Sequence, residues 1–510
     1  MPAGVNPVFR NNKNYNQLKG KCLFFILTLF MLFDMSKGVS VYSQTMTLNL
    51  PDSIDLTRPV KKDWFKAGAI TFGVNMGIWA FDRYIQKGHF AYISWETMKE
   101  NFRKGFIWDN DYMGTNMFLH PYHGSLYYNA GRANGLNYWE SGALALAGSA
   151  MWELFMECEY PSTNDIIATP IGGMALGEMF FRTSDLILDD RTRGSARFGR
   201  ELAAFVVSPT RGITRLINGD MKRKSKTSGR QFGAPEIKID LSAGIRALEL
   251  KTPVVDKGFG FATNINIEYG DVFDADTQKP YDYFSFRVNL NVQGSQPFFS
   301  QLNICGRLYS TELIDNSKDF LSLGIYQHFD YYDSDTISNV SGGVPYKFGT
   351  PASFGVGLVH KNKRFKNWNF SSYLHSNLVL LGASLSDHYV VYNRNYNLAS
   401  GFSWKLGSRL SYRDIVSITL ADEGYRMYTW KGYPWDIDWN TVNEKTLDAQ
   451  GDHSQAILNV ATLRVDLKLR NRLYLTGIFY NYKRDTNYRY FDDVFSNTSE
   501  GRLMVTYKFQ

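Results

Sequence analysis

From about residue 236 to the C-terminus, apolar and polar positions alternate with a period of two. Ile237, Ile239, Leu241, Ala243, Ile245 and Ala247 alternate with Lys238, Asp240, Ser242, Gly244 and Arg246. Phe284, Phe286, Val288, Leu290 and Val292 repeat the pattern, as do Ala461 to Leu469 and Leu503 to Phe509. Such alternation needs one apolar and one wet environment. The segments run roughly 10–14 residues, long for soluble strands and suited to tilted membrane spans. Aromatic residues crowd their ends, as in Tyr281-Asp-Tyr283-Phe284, Tyr331-Tyr332 and Tyr488-Arg-Tyr490-Phe491, where interfacial girdles belong. The last strand carries Phe509 next to the final Gln510. The pattern predicts about twelve strands, near 236–248, 258–270, 281–292, 298–310, 319–332, 351–361, 369–382, 398–411, 414–429, 456–470, 472–484 and 499–509. An even count is what a bacterial barrel requires. The long connections 333–350 and 430–455 are polar and aromatic, and are expected to face outside the cell.

Residues 61–220 lack this alternation. They hold three uncharged runs, Ala67–Phe81, Ser141–Trp152 and Ile166–Gly177, each shorter than a bilayer-crossing helix. Brevity has a reason in an exported barrel, because a run of about twenty apolar residues would be arrested in the inner membrane. Gly73 and Gly77, Ala143 and Ala147, and Gly173 and Gly177 sit four apart, a spacing that lets helix backbones approach closely. A compact helical domain is therefore expected over 61–220. Lys222-Arg-Lys-Ser-Lys and Arg230 make 221–235 a basic linker to the barrel at 236–510. The fold class read from these patterns is an α+β membrane protein, a helical domain followed by an antiparallel transmembrane β-barrel.

The first residues read as an address. Arg10, Lys13, Lys19 and Lys21 precede the apolar run Cys22–Phe33 without an acid between them. Twelve helical residues span about 18 Å, too short for a bilayer core. Residues 1–43 therefore read as a secretory signal peptide, cleaved after Val41-Tyr-Ser43, with 44–60 as a linker. Cys22 precedes the apolar core and so is not a lipoprotein cysteine. Export leaves Cys158 and Cys305, expected as two free buried thiols. The destination implied is the outer membrane of a Gram-negative bacterium, with outer-membrane lipid and the barrel-assembly machinery as partners.

Composition narrows the function classes. The chain has 510 residues, 15% of them aromatic, too apolar for disorder. A mean hydropathy of −0.30 excludes a polytopic helical membrane protein. A net charge of +7 gives no case for nucleic acid, and three cysteines cannot make a disulfide scaffold.

The densest polar constellation lies between residues 120 and 185. It comprises His120-Pro-Tyr-His123-Gly, Tyr127 to Arg132, Trp152-Glu153, Glu157, Pro161-Ser-Thr-Asn164-Asp165, Gly172-Gly173, Gly177-Glu178, Arg182 and Asp185. Glu153 and Glu157 share a helical face. The candidate catalytic residues are His120, His123, Glu153, Glu157, Asn164, Asp165, Glu178 and Arg182. Two imidazoles and two carboxylates, His120, His123, Glu153 and Glu157, form a metal-ligand set, or one His acts as a base oriented by a carboxylate. The structural readings compete. Glu153 and Glu157 would pair with Arg132 or Arg182, Ser162-x-x-Asp165 would cap the next helix, and Glu178 with Arg182 would be a local salt bridge. In the barrel, His375 and Ser376 are adjacent and point to opposite faces, so they cannot pair as base and nucleophile. His328, His360, His388 and His453 are isolated in sequence. No Gly-rich phosphate loop or Gly-x-Ser-x-Gly elbow occurs.

These motifs also carry a resemblance. His-Pro-x-x-Gly at 120–124, Tyr-Tyr-x-x-x-Arg-x-Asn-Gly at 127–135, Trp-Glu-x-x-x-Glu at 152–157, Pro-Ser-x-Asn-Asp at 161–165 and Gly-Gly-x-x-x-Gly-Glu at 172–178 resemble the bacterial family catalogued as domain of unknown function 3943. The resemblance covers roughly residues 75–185. It implies an envelope protein of Bacteroides-like bacteria and brings no established activity, cofactor or catalytic residue. The Glu…Asn-Asp…Gly-Gly…Gly order is also loosely similar to the VanZ-like membrane family.

Three functional readings follow. The helical domain, periplasmic or plugging the lumen, is a structural or interaction module on a barrel anchor. Alternatively the 120–185 cluster is an envelope enzyme acting on lipid or glycan. Alternatively the barrel passes a small solute and the helices gate it. The cofactor and any small-molecule ligand stay open in all three.

Overall fold

The computed structural model describes residues 61–250, 258–275, 279–292, 297–334 and 344–509. The expected export signal at 1–43 and the linker at 44–60 lie outside the described residues. Twelve antiparallel strands close into a barrel in simple neighbour order. They are β1 (Ile237–Leu250), β2 (Gly258–Tyr269), β3 (Phe284–Val292), β4 (Phe299–Asp315), β5 (Asp319–Asp333), β6 (Lys347–Asn362), β7 (Trp368–Leu385), β8 (Tyr396–Tyr412), β9 (Val416–Tyr428), β10 (Ser454–Arg470), β11 (Leu473–Tyr488) and β12 (Val494–Phe509). Closure runs through β1 and β12, with Ile239 opposite Phe509 and Ala247 opposite Gly501. The expected number of strands is present, and most run longer than the alternation alone marked. At the rim where β1 begins and β12 ends, β10 and β11 are joined through Asn471 and Arg472, and β8 and β9 through residues 413–415. The opposite rim carries the long connection 429–453.

The period of two is realised as predicted. On the outer face of β10, Leu463, Leu467 and Leu469 are exposed. The inward Arg464 and Asp466 pair at 3.0 Å, and Arg464 also reaches Asp240 on β1. Ile245, Leu378, Leu420, Phe479 and Leu503 continue the apolar outer surface around the wall. A closed barrel with this exterior has lipid as its natural solvent. Leu467→Arg is expected to destabilise the assembled barrel, by less than the about 2–4 kcal/mol of a midplane site because Leu467 lies near the β10–β11 turn. The readout is the heat-modifiable band on gels, which should weaken for Leu467→Arg and persist for Leu467→Ile.

The lumen is crossed by polar side chains. Lys405 of β8 binds both carboxylate oxygens of Asp330 on β5, at 2.6 and 2.7 Å. Arg287 of β3 approaches Glu423 of β9, half the circumference away, at 3.6 Å. Arg246 and Arg502 share Glu500, at 2.9 and 2.6 Å. The Arg287–Glu423 pair joins opposite walls through the interior, Lys405–Asp330 spans three strands, and the Glu500 pairs tie the neighbouring strands β1 and β12.

Among the described residues, seven α-helices precede the barrel: α1 (Trp64–Ala80), α2 (Trp95–Lys104), α3 (His120–Ala133), α4 (Tyr138–Phe155), α5 (Asp165–Ile187), α6 (Gly194–Val207) and α7 (Pro209–Ile217). None among the described residues is long and apolar enough to cross a membrane. Reciprocal capping boxes start α2 (Ser94 with Thr97) and α4 (Asn137 with Glu140). Helices α3 and α5 cross at near backbone contact. A Cβ on Gly124 would lie 1.8 Å from the Thr169 carbonyl oxygen, and one on Gly173 would lie 2.6 Å from the Gly124 backbone. The small-residue spacing read from sequence thus serves α5. On α1, Gly73 and Gly77 face open space instead.

The helical domain neither plugs the lumen nor hangs free of the barrel. It packs on the outer face of the wall. Along β5, Asp330 and Tyr332 point inward to Lys405 and Glu423, so Gln327, Phe329 and Tyr331 point outward. Gln327 accepts hydrogen bonds from Tyr138 (2.5 Å) and Tyr281 (2.8 Å), and donates to the Ile171 carbonyl of α5 (2.9 Å). Phe329, Leu302 and Ile304, outward apolar residues, are almost fully buried in one core with Tyr128, Met174 and Ala175. The physical reason is hydrophobic burial. An apolar wall offers as good a surface outside as a core offers inside, while the lumen is polar and already filled. The Asp165 end of α5 lies toward the rim of long connections and its Arg182 end toward Pro280, so the helix lies along the wall.

Candidate metal centre

Three segments bring the constellation together at the long-connection end of the helical domain. His120 begins α3, Glu153 lies in the last turn of α4, and Asp165 opens α5. One ligand atom from each lies within 4.8 Å of the others. His120 Nε2 is 3.6 Å from Asp165 Oδ2. Glu153 and Asp165 are buried, and His120 is partly accessible. The backbone N–H of Ser162 donates to Glu153 Oε2 at 2.8 Å. Asn164 Nδ2 donates to Asp165 Oδ1 at 3.0 Å and to Asp109 Oδ1 at 3.1 Å. Asn116 Nδ2 donates to Asp109 Oδ1 at 2.6 Å, while the buried Asn116 Oδ1 has no partner among the described residues.

Carboxylates dominate the charge. Burial, then the neighbouring Glu157, pushes Glu153 well above the ordinary carboxylate range. Burial and Asp165 do the same to Glu157, and burial and Asp109 to Asp165. Burial pulls His120 down, although Asp109 opposes it. Among the described residues, no lysine or arginine forms an ion pair with these four carboxylates. Arg394 approaches, but donates to the Asp109 backbone carbonyl at 2.7 Å. Like-charged groups crowded without a compensating cation must hold protons or bind a cation.

The other candidates divide. His123 turns away from the carboxylates: its Nε2 is 2.7 Å from the Tyr127 hydroxyl, which donates to Asn75, and its ring meets Trp152 edge-on. Burial, then His120, pushes His123 down to about 3. These contacts leave His123 outside the group of ligand atoms that His120, Glu153 and Asp165 bring together. Glu178 and Arg182 lie toward the far end of α5. Glu178 is fully buried and takes Arg132 Nε at 2.7 Å, Arg182 Nε at 2.9 Å and the Tyr128 hydroxyl at 2.7 Å. The arginines thus pair with Glu178 and leave Glu153 and Glu157 unpaired. Ser162 Oγ accepts the Asp165 backbone N–H at 3.1 Å, but α5 is capped by Asn164 without a side-chain bond and the Ser162 N–H goes to Glu153, so the expected box is not closed and the Asp165 carboxylate stays at the centre. Asp109 and Asn116 were not among the sequence candidates. The Trp108-Asp-Asn-Asp111 run was the available signal.

Loops of the barrel close over this end. Trp108 N–H donates to Asp448 Oδ1 at 3.1 Å, and Asn110 Nδ2 to the Glu444 carbonyl at 2.5 Å. Tyr396 and Asn116 share a hydrogen bond of 2.7 Å.

The segment that holds the centre has a known relative. Residues 105–210 match the family described as domain of unknown function 3943. The match starts and ends farther along the chain than the motif set alone marked, and it reaches α7. No curated protein matches the chain. Among solved structures, the Ralstonia pickettii toluene transporter TbuX is similar at 8% identity, covering 54% of this chain and 90% of that one with a TM-score of 0.23. The Pseudomonas putida toluene transporter TodX is similar at 11% identity, over 54% and 90%, with a TM-score of 0.22. The outer membrane channel DcaP of Acinetobacter baumannii is similar at 7% identity, over 54% and 96%, with a TM-score of 0.23.

Proposed function

We propose that this is an outer-membrane barrel that anchors a laterally packed helical domain, and that the domain works through a divalent-cation centre on an envelope lipid or glycan. The convergence of His120, Glu153 and Asp165 within 4.8 Å, with no lysine or arginine paired to the acids among the described residues, carries this reading. An oxygen-rich donor set with one imidazole suits a cation such as Mn²⁺, Fe²⁺ or Zn²⁺. Such a cation lowers the pKa of a bound water and polarises an ester or phosphoryl oxygen. Glu157 is the candidate base. Asp109, Asn164 and Asn116 orient the ligands, as outer-shell hydrogen bonds do in metal sites. The position outside the wall puts the domain against lipid, which is why an envelope lipid or glycan is the substrate class.

The interaction-module reading draws on a different observation, the Trp108–Asp448 and Asn110–Glu444 bonds that fasten the domain to the barrel's loops. A solute path through the barrel draws little support, because the Arg287–Glu423 pair crosses the lumen between opposite walls and Lys405–Asp330 bridges three strands inside it. One experiment separates the first two. A deletion strain is complemented with wild type, Glu153→Gln or Asp165→Asn, and assembled barrel, bound metal and envelope lipid and glycan profiles are measured. The enzyme reading expects normal assembly, lost metal and a profile like that of the deletion. A normal profile with both variants, at normal assembly, returns the domain to a purely structural or interaction role.

A further inference from the structure

A second cluster, inside the barrel and remote from the carboxylate centre in the chain, joins residues that the sequence leaves far apart. Cys305 on β4, His328 on β5 and His375 on β7 bring one sulfur and two ring nitrogens within 4.8 Å of one another. Cys305 Sγ is 3.9 Å from His328 Nε2, and that nitrogen is 3.0 Å from His375 Nδ1. All three face the lumen: Cys305 lies opposite His328 in register, and His328 shares its face of β5 with Asp330, which binds Lys405.

The strand between the two imidazoles is built to let them meet. Across β6, His328 lies opposite Ser353 and His375 opposite Gly357. A Cβ at Gly357 would lie 2.9 Å from the His375 ring and 2.8 Å from Tyr326. Tyr326 covers His375, with ring centroids 4.3 Å apart. His328 is 1% exposed, and its Nδ1 has no hydrogen-bond partner among the described residues. The nearby ammonium of Lys405 is paired with Asp330.

We propose that Cys305, His328 and His375 form a binding site for a thiophilic d¹⁰ cation, zinc or copper(I). Zn–N bonds of about 2.0–2.1 Å and Zn–S bonds of about 2.3 Å, arranged tetrahedrally, put donor atoms about 3.4 and 3.6 Å apart. The observed 3.0 and 3.9 Å lie within about 0.4 Å of those separations, a side-chain adjustment rather than a strand movement. One thiolate with two imidazoles selects zinc or copper(I) over calcium or magnesium. Three protein ligands leave a fourth position open on zinc and complete a trigonal copper(I) site. Binding releases the Cys305 thiol proton to solvent and ties β4, β5 and β7 together inside the wall.

The test uses the full chain in detergent with Glu153→Gln and Asp165→Asn in every sample, so the carboxylate centre cannot contribute metal. Cys22→Ser and Cys158→Ser leave Cys305 as the single thiol. Zn²⁺ or Cu⁺ at one equivalent is expected to slow maleimide alkylation of Cys305 by about tenfold or more, because a metal-bound thiolate is withdrawn from attack. The protection should vanish in His328→Ala and in His375→Ala that retain the heat-modifiable folded band. Unchanged alkylation of a folded, reactive Cys305 with either ion overturns the proposal. If Cys305 resists alkylation without metal, elemental analysis after desalting decides. One zinc or copper per chain, absent from Cys305→Ser, upholds the site, and equal content in the two proteins overturns it.

Discussion

Glu178→Gln is expected to cost the helical domain about 3–5 kcal/mol, because it leaves two buried guanidinium groups without their anion. Glu178 is fully buried, and its two oxygens are held by Arg132 from α3 and by Arg182 one turn along α5 itself. Arg182 also donates to the Pro280 carbonyl and stacks over Phe232 at 4.0 Å, so it cannot swing out to water without losing those contacts. Losing the pair should loosen α5 at the end nearest the basic linker. The strands keep their own hydrogen bonds, so the expected result is a protease-sensitive helical domain on a still heat-modifiable barrel. A pH dependence accompanies it. Burial raises the Glu178 carboxyl, but Arg132 and Arg182 outweigh burial and hold it below the ordinary range. A depressed carboxyl contributes stability that is complete above its unfolded pKa of about 4.3 and fades as pH falls toward its folded value. Wild type should therefore become protease-sensitive on acidification below about pH 4, and Glu178→Gln should be sensitive already at neutral pH. A variant as resistant as wild type at pH 7 would show that the pair contributes nothing net.

The barrel was legible because its signal is local. Alternation such as Leu463-Arg464-Val465-Asp466 states which face each residue takes, and a closed sheet repeats that statement strand after strand. The seat of the helical domain was not legible. Phe284 and Phe286 alternate with polar residues in sequence as Leu463 does, and Leu302, Ile304 and Phe329 lie in strands of the same expected kind. Nothing in a period of two distinguishes an outer face covered by lipid from one covered by helices. The same limit governed the sites. His120, Glu153 and Asp165 lie within one short stretch of chain, so their convergence was accessible to a reading of spacing. Asp109 joins them only through Asn116 and Asn164, and its role follows from the tertiary path of residues 105–119. Cys305, expected to be a free buried thiol, is free but only partly buried beside His328. His328 and His375 looked isolated because 47 residues separate them, whereas the consecutive strand order sets β5 and β7 on either side of β6. The gap is one of sequence separation: a contact between non-neighbouring strands leaves no local trace.

Divalent cations are expected to stabilise the helical domain, and the dependence should run through Glu153 and Asp165. Four carboxylates, Asp109, Glu153, Glu157 and Asp165, gather there with no lysine or arginine paired to them among the described residues. Without a cation, the fold meets this repulsion by keeping protons on acids whose pKa values are already raised by burial. A cation that binds the folded site and not the unfolded chain adds RT ln(1 + [L]/Kd), about 2.7 kcal/mol at a concentration one hundred times Kd. The protein for this measurement carries Cys305→Ser, which removes the thiolate site from the comparison. Chelator-stripped protein titrated with Mn²⁺ should show a rising melting transition for the helical domain and an unmoved transition for the barrel. Glu153→Gln should behave differently on both counts. Replacing a carboxylate by an amide reduces the like-charge crowding, so the stripped variant should melt no lower than stripped wild type. It should then gain little from Mn²⁺, because one of the three converging ligands has lost its charge. A structural role without metal makes the opposite forecast: Glu153→Gln melts lower from the start, since the Ser162 N–H loses a charged acceptor, and added Mn²⁺ moves neither protein.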